Sequence, residues 1–312
     1  MKDFTEGKYL VVGTGAAALR IAKVLTTSFG VTEGNLIFFS RRIDSELLGN
    51  NIVINSILSL DAGEAVFIAT ESFDHLAWVK RCIAESRHCY VEKPLVCSAQ
   101  FMGEVGLVDQ VENANICVFN GCQYLSHPSL NTLKTFLNNS KADEILPIIF
   151  RMHLGHDICS WGCWRNETKL DDIGFLRSKD GLFDELIHVY EILACLFGLE
   201  GEVFEIGSDN LMLNQNASAG TISYKNRHIF GSILIELVSE NPIFEIYLSS
   251  REDQVHIDFR DDNLVDRESL FIKHIEAFFE LIVSYDPSKI LHNNKHVFDG
   301  LLLRSRRKSF FL

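Results

Sequence analysis

Apolar positions along this 312-residue chain follow two different rhythms. In the first part, short unbroken apolar runs alternate with stretches of helical character. Lys8 to Val12 is such a run, and an unbroken run bounded by turn residues predicts a buried parallel strand. Gly13-Thr14-Gly15 breaks it, and Ala16 to Leu25, rich in Ala and Leu, follows as a helix. Asn35 to Ser40 and Ala65 to Thr70 are two more strands, and Asp74 to Ser86 is the helix after them. His88 to Val91 is a further strand, stopped by Pro94, and Ile116 to Asn120 is one more. Strands alternating with helices predict an α/β fold over residues 1–125, a doubly wound parallel sheet of the Rossmann kind.

Further along, the period becomes two. Val255, Ile257 and Phe259 alternate with His256, Asp258 and Arg260. The sets Ile233, Ile235, Leu237 and Phe244, Ile246, Leu248 repeat the pattern, which predicts a mostly antiparallel sheet with one covered face. Asp184 to Phe197 and Arg267 to Ser284 are expected as amphipathic helices covering that sheet. Residues 126–312 thus form a C-terminal α+β domain, with the boundary near Ser126-His127-Pro128. There is no internal repeat, low-complexity stretch or long linker.

Composition narrows the class. The length suits two domains, and 47% hydrophobic with 23% charged residues is the make-up of a soluble globular protein. No apolar run approaches the roughly 20 residues that span a bilayer. Met1 to Lys8 is charged and lacks the pattern of an export signal. Eight cysteines without a regular framework fit free thiols in a reducing compartment, so a cytoplasmic protein is expected. A net charge of −13 argues against nucleic-acid or anionic-membrane partners, while leaving room for a local basic pocket.

The candidate chemistry begins at Gly13-Thr14-Gly15-Ala16-Ala17-Ala18, a G-x-G-x-x-A pattern between a strand and a helix. The first glycine permits the tight turn, the second lets main chain approach a pyrophosphate, and Ala18 allows close helix–strand packing. The helix start offers N–H groups and a positive dipole end to phosphate. This predicts a dinucleotide site at Gly13, Thr14, Gly15, Ala16 and Ala17. The second strand ends in Ser40-Arg41-Arg42, where NAD sites usually place an acid. A hydroxyl and two guanidinium groups suit a 2′-phosphate, so NADP is preferred over NAD.

Downstream come Ala69-Thr70-Glu71-Ser72-Phe73-Asp74-His75 and then Tyr90-Val91-Glu92-Lys93-Pro94. The whole stretch resembles the Gfo/Idh/MocA family of glucose-fructose oxidoreductase and inositol dehydrogenase, with a strand ending in Ala-Thr, a following His, and a strand ending in Glu-Lys-Pro. By that resemblance Ala69, Thr70, Glu71, His75, Glu92, Lys93 and Pro94 line the cofactor site, and Lys93 points at the substrate hydroxyl beside the nicotinamide. A lysine at the carboxyl end of a parallel strand sits where open α/β sheets bind ligands, and its ammonium can stabilise a developing alkoxide. Asp180-Gly181-Leu182-Phe183-Asp184-Glu185-Leu186-Ile187-His188 resembles the family's second-domain motif. Asp184 and His188 stand at i and i+4 on one helix face. The resemblance implies that His188 exchanges the hydroxyl proton while Asp184 assists or binds substrate. Trp164-Arg165 resembles the family's Trp-Arg element near cofactor phosphate or substrate, and Gly121-Cys122-Gln123-Tyr124 resembles the segment leading to the active site.

Departures from the family pattern fall on the substrate side. The glycine run is reduced to Gly181, Leu186 replaces a small residue, and Leu125 stands where related sugar enzymes carry Arg. The implied activity is hydride transfer between NADP(H), or NAD(H), and a secondary alcohol or ketone of a sugar, sugar acid, cyclitol or nucleotide sugar. The alternative is a non-catalytic NADP(H)-binding sensor or partner subunit. Alternation in the C-terminal sheet suggests a homo-oligomer, a dimer or tetramer. No metal is expected: His153, His156, Cys159 and Cys163 match no standard zinc spacing.

Overall fold

The computed structural model describes residues 4–39, 52–54, 65–96, 106–139, 148–153, 187–197, 202–206, 219–225, 230–236, 243–250, 253–260, 265–284, 286–305 and 308–310. The chain divides into two compact units, Met1–Cys122 with Phe271–Phe298, and Gln123–Leu270 with Asp299–Leu312.

Among the described residues, the first unit is built on six strands: β1 (Tyr9–Val12), β2 (Leu36–Phe39), β3 (Ile52–Ile54), β4 (Ala65–Ile68), β5 (His88–Val91) and β6 (Val118–Asn120). Their order is β3-β2-β1-β4-β5-β6, and every neighbouring pair is parallel. This is the doubly wound order of dinucleotide-binding folds, with a switch point between β1 and β4. Strands β1, β4 and most of β5 are buried along their whole length, which is why they read as unbroken apolar runs. One face carries Tyr9, Val11, Leu36, Phe38, Phe67, Tyr90 and Phe119 against helix α1 (Ala16–Phe29). Helix α2 (Ser72–Ala84) packs on β4 and β5 and contacts α3 (Leu107–Ala114).

That first face is also covered by a distant segment. Helix α6 (Arg267–Ser284) places Phe271, Ile275, Phe278, Phe279 and Ile282 in the same core cluster as Tyr9 and Phe67. Phe67 meets Phe278 at 5.6 Å and Phe279 at 6.0 Å between ring centres, and Tyr9 meets Phe279 at 5.5 Å, all edge-on. The sequence places this helix in residues 126–312, over the antiparallel sheet. The structure puts Phe271–Phe298 with the first unit instead. The cause is area: the aromatic face of the parallel sheet is wider than α1, and each large ring it buries contributes ~1.5–3 kcal/mol. Helix α7 (Pro287–Ser305) then brings its side chains to β6. Asn294 accepts from Val118 N–H at 3.0 Å and donates to Ile116 O at 2.7 Å, and Asn293 donates to Val118 O at 3.0 Å.

Among the described residues, the second unit holds seven strands: β7 (Ile148–His153), β8 (Glu202–Ile206), β9 (Ala219–Lys225), β10 (Phe230–Glu236), β11 (Ile243–Ser249), β12 (Gln254–Asp258) and β13 (Lys308–Phe310). Their order is β12-β11-β7-β10-β9-β8-β13. The pairs β11–β12, β11–β7, β10–β9 and β8–β9 are antiparallel, while β10–β7 and β13–β8 are parallel. The mostly antiparallel sheet read from the period-two segments is present. Phe244, Ile246 and Leu248 form its buried face at β11. Helix α4 (Ser129–Asn139) lies against β12, and α5 (Ile187–Phe197) against the short turn Gln123–Ser126. Within α5, residues 187–194 are all buried, so this helix is enclosed rather than amphipathic.

Candidate functional site

The turn after β1 is shaped by two glycines with different duties. Gly13 has φ +115°, and a Cβ there would lie 2.3 Å from the carbonyl oxygen of Ala69. Its N–H donates to Phe39 O at 2.9 Å, so the turn is pinned between β2 and the segment after β4. Gly15 has an ordinary extended backbone, φ −75° and ψ 179°, and a Cβ there would meet nothing within 4 Å. It is the N-cap of α1, with no side-chain capping bond, and its carbonyl accepts the first helical bond from Leu19 at 3.0 Å. The result is open space in front of a helix start, bordered by Thr14, Ala16 and Ala17, with Ala18 buried behind. An anionic pyrophosphate suits such a cradle.

The neighbouring strands deliver the other residues to the same edge of the sheet. Ala69 follows β4, and its N–H donates to Val12 O at 2.8 Å. Glu92 follows β5, and its N–H donates to Ile68 O at 2.8 Å, so the ladder continues one step past the strand ends. Because β1, β4 and β5 are adjacent and parallel, Gly13, Ala69-Thr70-Glu71 and Glu92-Lys93-Pro94 all stand at their carboxyl ends. Lys93 is half-buried, and the Lys93–Pro94 peptide is cis. Burial raises the Glu92 carboxyl above its usual range, opposed by the positive charges of Lys93 and Arg20.

His75 differs from the cofactor-lining role expected of it. It is buried in the first turn of α2, with Nδ1 2.8 Å from Pro94 O and Nε2 3.0 Å from Thr70 O. Burial lowers its pKa from 6.5, against the two carbonyls and Asp74, which raise it. The ring thus lies between the Pro94 and Thr70 carbonyls, and in its neutral form its single N–H donates to one of them.

In the second unit, His188 is the second residue of α5 and is buried. The Tyr124 ring meets it edge-on at 5.1 Å, and Tyr124 also packs on Phe244 at 4.6 Å and Phe259 at 6.1 Å. Gln123 begins the turn that carries Tyr124. Two residues here escaped the sequence reading in this role. Tyr124 seats the imidazole, and Glu191 is a buried acid one turn beyond His188. The i, i+3 spacing of His188 and Glu191 was the available signal. Ser40, Arg41, Arg42, Trp164, Arg165 and Asp184 lie outside the described residues, as do His156, Cys159, Cys163 and the His153 side chain. Among the described residues, no group of three or more His, Cys, Asp or Glu is placed to hold a metal, and no helix is long and apolar enough to cross a membrane.

No protein-family model matches the chain, and no curated protein matches it in sequence. Solved structures match it over nearly its whole length. A probable dehydrogenase from Thermotoga maritima superposes with a TM-score of 0.71 at 15% identity, covering 96% of both chains. The WlbA dehydrogenase from Bordetella pertussis, in complex with NADH and UDP-GlcNAcA, gives 0.68 at 15% identity over 97% of this chain and 96% of its own. A 3-ketoreductase from Actinomadura kijaniata, in complex with NADP and TDP-benzene, gives 0.67 at 14% identity over 98% and 99%. At these identities the likeness is one of fold: a doubly wound parallel sheet followed by a mostly antiparallel one.

Proposed function

We propose that this chain is a nicotinamide-dependent oxidoreductase of the Gfo/Idh/MocA type, acting on a secondary alcohol or ketone of a sugar, sugar acid, cyclitol or nucleotide sugar. The observation that carries the reading is the shared sheet edge. The Gly13–Ala17 cradle and the Glu92-Lys93-Pro94 turn stand at the carboxyl ends of strands separated only by β4. The like-folded proteins solved with NADH, NADP and a nucleotide sugar support the same choice.

In this reading Gly13, Thr14, Gly15, Ala16 and Ala17 hold a pyrophosphate, and Ser40, Arg41 and Arg42 hold a 2′-phosphate, favouring NADP over NAD. Ala69, Thr70, Glu71 and Glu92 form the wall beyond it. When bound, the nicotinamide supplies or takes the hydride. Lys93 stabilises the negative charge that develops on the substrate oxygen, and His188 takes or returns the hydroxyl proton. Trp164, Arg165 and Asp184 position the substrate. The protein works in the cytoplasm as a homo-oligomer.

Fluorescence titration with NADPH and NADH tests the first half, and NADPH is expected to bind more tightly. A screen of keto sugars and nucleotide sugars, read as loss of reduced-nicotinamide absorbance, tests the second. Lys93→Ala is expected to lower kcat by about 100-fold or more with cofactor affinity nearly unchanged. Binding without turnover across the screen would instead favour a non-catalytic sensor or partner subunit. Failure to bind either nucleotide would remove the proposal altogether.

A further inference from the structure

His75 stands in the first turn of α2 but on the inner stripe of that helix, with Leu76, Val79 and Cys82. It is 1% exposed, although it sits one turn from the edge where ligands bind in this fold. Its ring nitrogens face carbonyls on two different segments, Pro94 O at 2.8 Å and Thr70 O at 3.0 Å. Thr70 belongs to the turn leaving β4, and Pro94 to the turn leaving β5. The backbone ladder between those strands extends as far as the bond from Glu92 N–H to Ile68 O. The imidazole stands between the two turns where that ladder ends: its one N–H donates to one carbonyl and its other ring nitrogen lies against the second.

We propose that His75 is a positioning residue that fixes the Lys93-Pro94 turn against the Thr70 turn and thereby sets where the Lys93 ammonium stands. The inference rests on the reading of Lys93 as the group that meets substrate. Both polar atoms of the ring are directed at main chain, so it acts through the turns and not on a ligand. Main-chain carbonyls have no side chain to relax, and a displaced ring therefore releases the turns themselves. Thr70 is tied to the glycine turn through Ala69, whose carbonyl limits Gly13. The ring thus links the catalytic turn to the nucleotide turn across one strand.

The test compares the full chain with His75→Leu and His75→Gln. Hydrogen exchange is read on peptides, and the dimethylated lysines are followed by heteronuclear NMR, with Lys93 assigned by its loss in Lys93→Arg. In His75→Leu, amides of 70–72, 93, 95 and 96 are expected to exchange about tenfold faster while β1 and β6 keep their rates. The Lys93 resonance should move toward that of an exposed lysine. His75→Gln, which keeps a polar arm, should restore part of both. An unmoved Lys93 resonance, or acceleration spread evenly over β1 and β6, overturns the proposal. If His75→Leu does not fold, the partial effect in His75→Gln decides by the same two readouts. NADPH titration of the unaltered protein runs alongside: no binding there would sink the functional reading, while the exchange and resonance patterns still judge His75.

Discussion

Gly13 and Gly15 stand two residues apart in one turn and meet opposite constraints. At Gly13 a Cβ would overlap the Ala69 carbonyl at 2.3 Å, in a backbone conformation that L side chains rarely adopt. Gly13→Ala is therefore expected to lose about 1–3 kcal/mol from backbone strain alone, with more from the clash, and to unfold at clearly lower denaturant concentration. At Gly15 the backbone is ordinary and the space is open. Gly15→Ala should keep its stability within about 0.5 kcal/mol yet bind NADPH about tenfold more weakly, because the added methyl fills the cradle. Equal loss of stability in the two variants, read from urea unfolding, would contradict this division. Both glycines are legible in the sequence because a G-x-G turn between an apolar run and an Ala-rich helix has few other uses. His75 is half legible. The motif marks its position, but only the stripe it shares with Leu76, Val79 and Cys82 tells that it turns inward. Under the proposed function, cofactor preference turns on Ser40, Arg41 and Arg42, whose charge chemistry is legible in the sequence.

Among the elements, strands buried on both faces and strands covered on one are the most readable, because continuous runs and period-two alternation are direct consequences of burial. What a periodic pattern does not name is the partner. Helix α6 has the bounds its pattern predicts, Arg267–Ser284, but its apolar stripe belongs to the parallel sheet. Helix α7 is harder to see, since His292-Asn293-Asn294-Lys295 interrupts the apolar spacing in its middle. Those polar residues have a structural use. Among the described residues β6 is the last strand of its sheet, and Asn294 completes its backbone pairing by offering an amide in the manner of another peptide group. Truncating that side chain strands a buried N–H and a buried C=O. Asn294→Ala is expected to cost about 2–4 kcal/mol, and Asn294→Asp nearly as much, since a carboxylate accepts from Val118 but faces Ile116 O without a proton. Chemical denaturation measures both, and a cost below about 0.5 kcal/mol would show that the edge needs no such cover.

For the whole molecule, two opposing responses to acid must be weighed. With a net charge of −13, protonating carboxylates relieves self-repulsion as pH falls, which favours the folded state. The buried histidine His274 works the other way. It sits in α6 with Nε2 2.8 Å from Asn120 O and its ring 4.7 Å from that of Phe119, and burial lowers its pKa to about 4 from 6.5. The folded protein keeps it neutral while the unfolded chain protonates it freely. Its contribution is complete above pH 6.5, declines below, and is exhausted once pH passes through about 4. At pH 5 this linkage removes about 2 kcal/mol, and about 3 kcal/mol at full protonation of both states. Such a loss is a large share of a marginal stability, whereas repulsion among exposed charges is screened by salt. His75, its pKa also lowered by burial, adds in the same direction. Urea unfolding at pH 7.5 and pH 5 in about 0.15 M salt separates the two effects, because His274→Gln keeps a donor for Asn120 O but cannot titrate. The variant is expected to lose about 2 kcal/mol less than the parent over that interval. Because α6 closes the aromatic face that holds Tyr9, Phe67 and Tyr90, acid should also open the parallel-sheet unit and the C-terminal helices together, so a parent whose slope matches the variant's would place the acid sensitivity elsewhere in the chain.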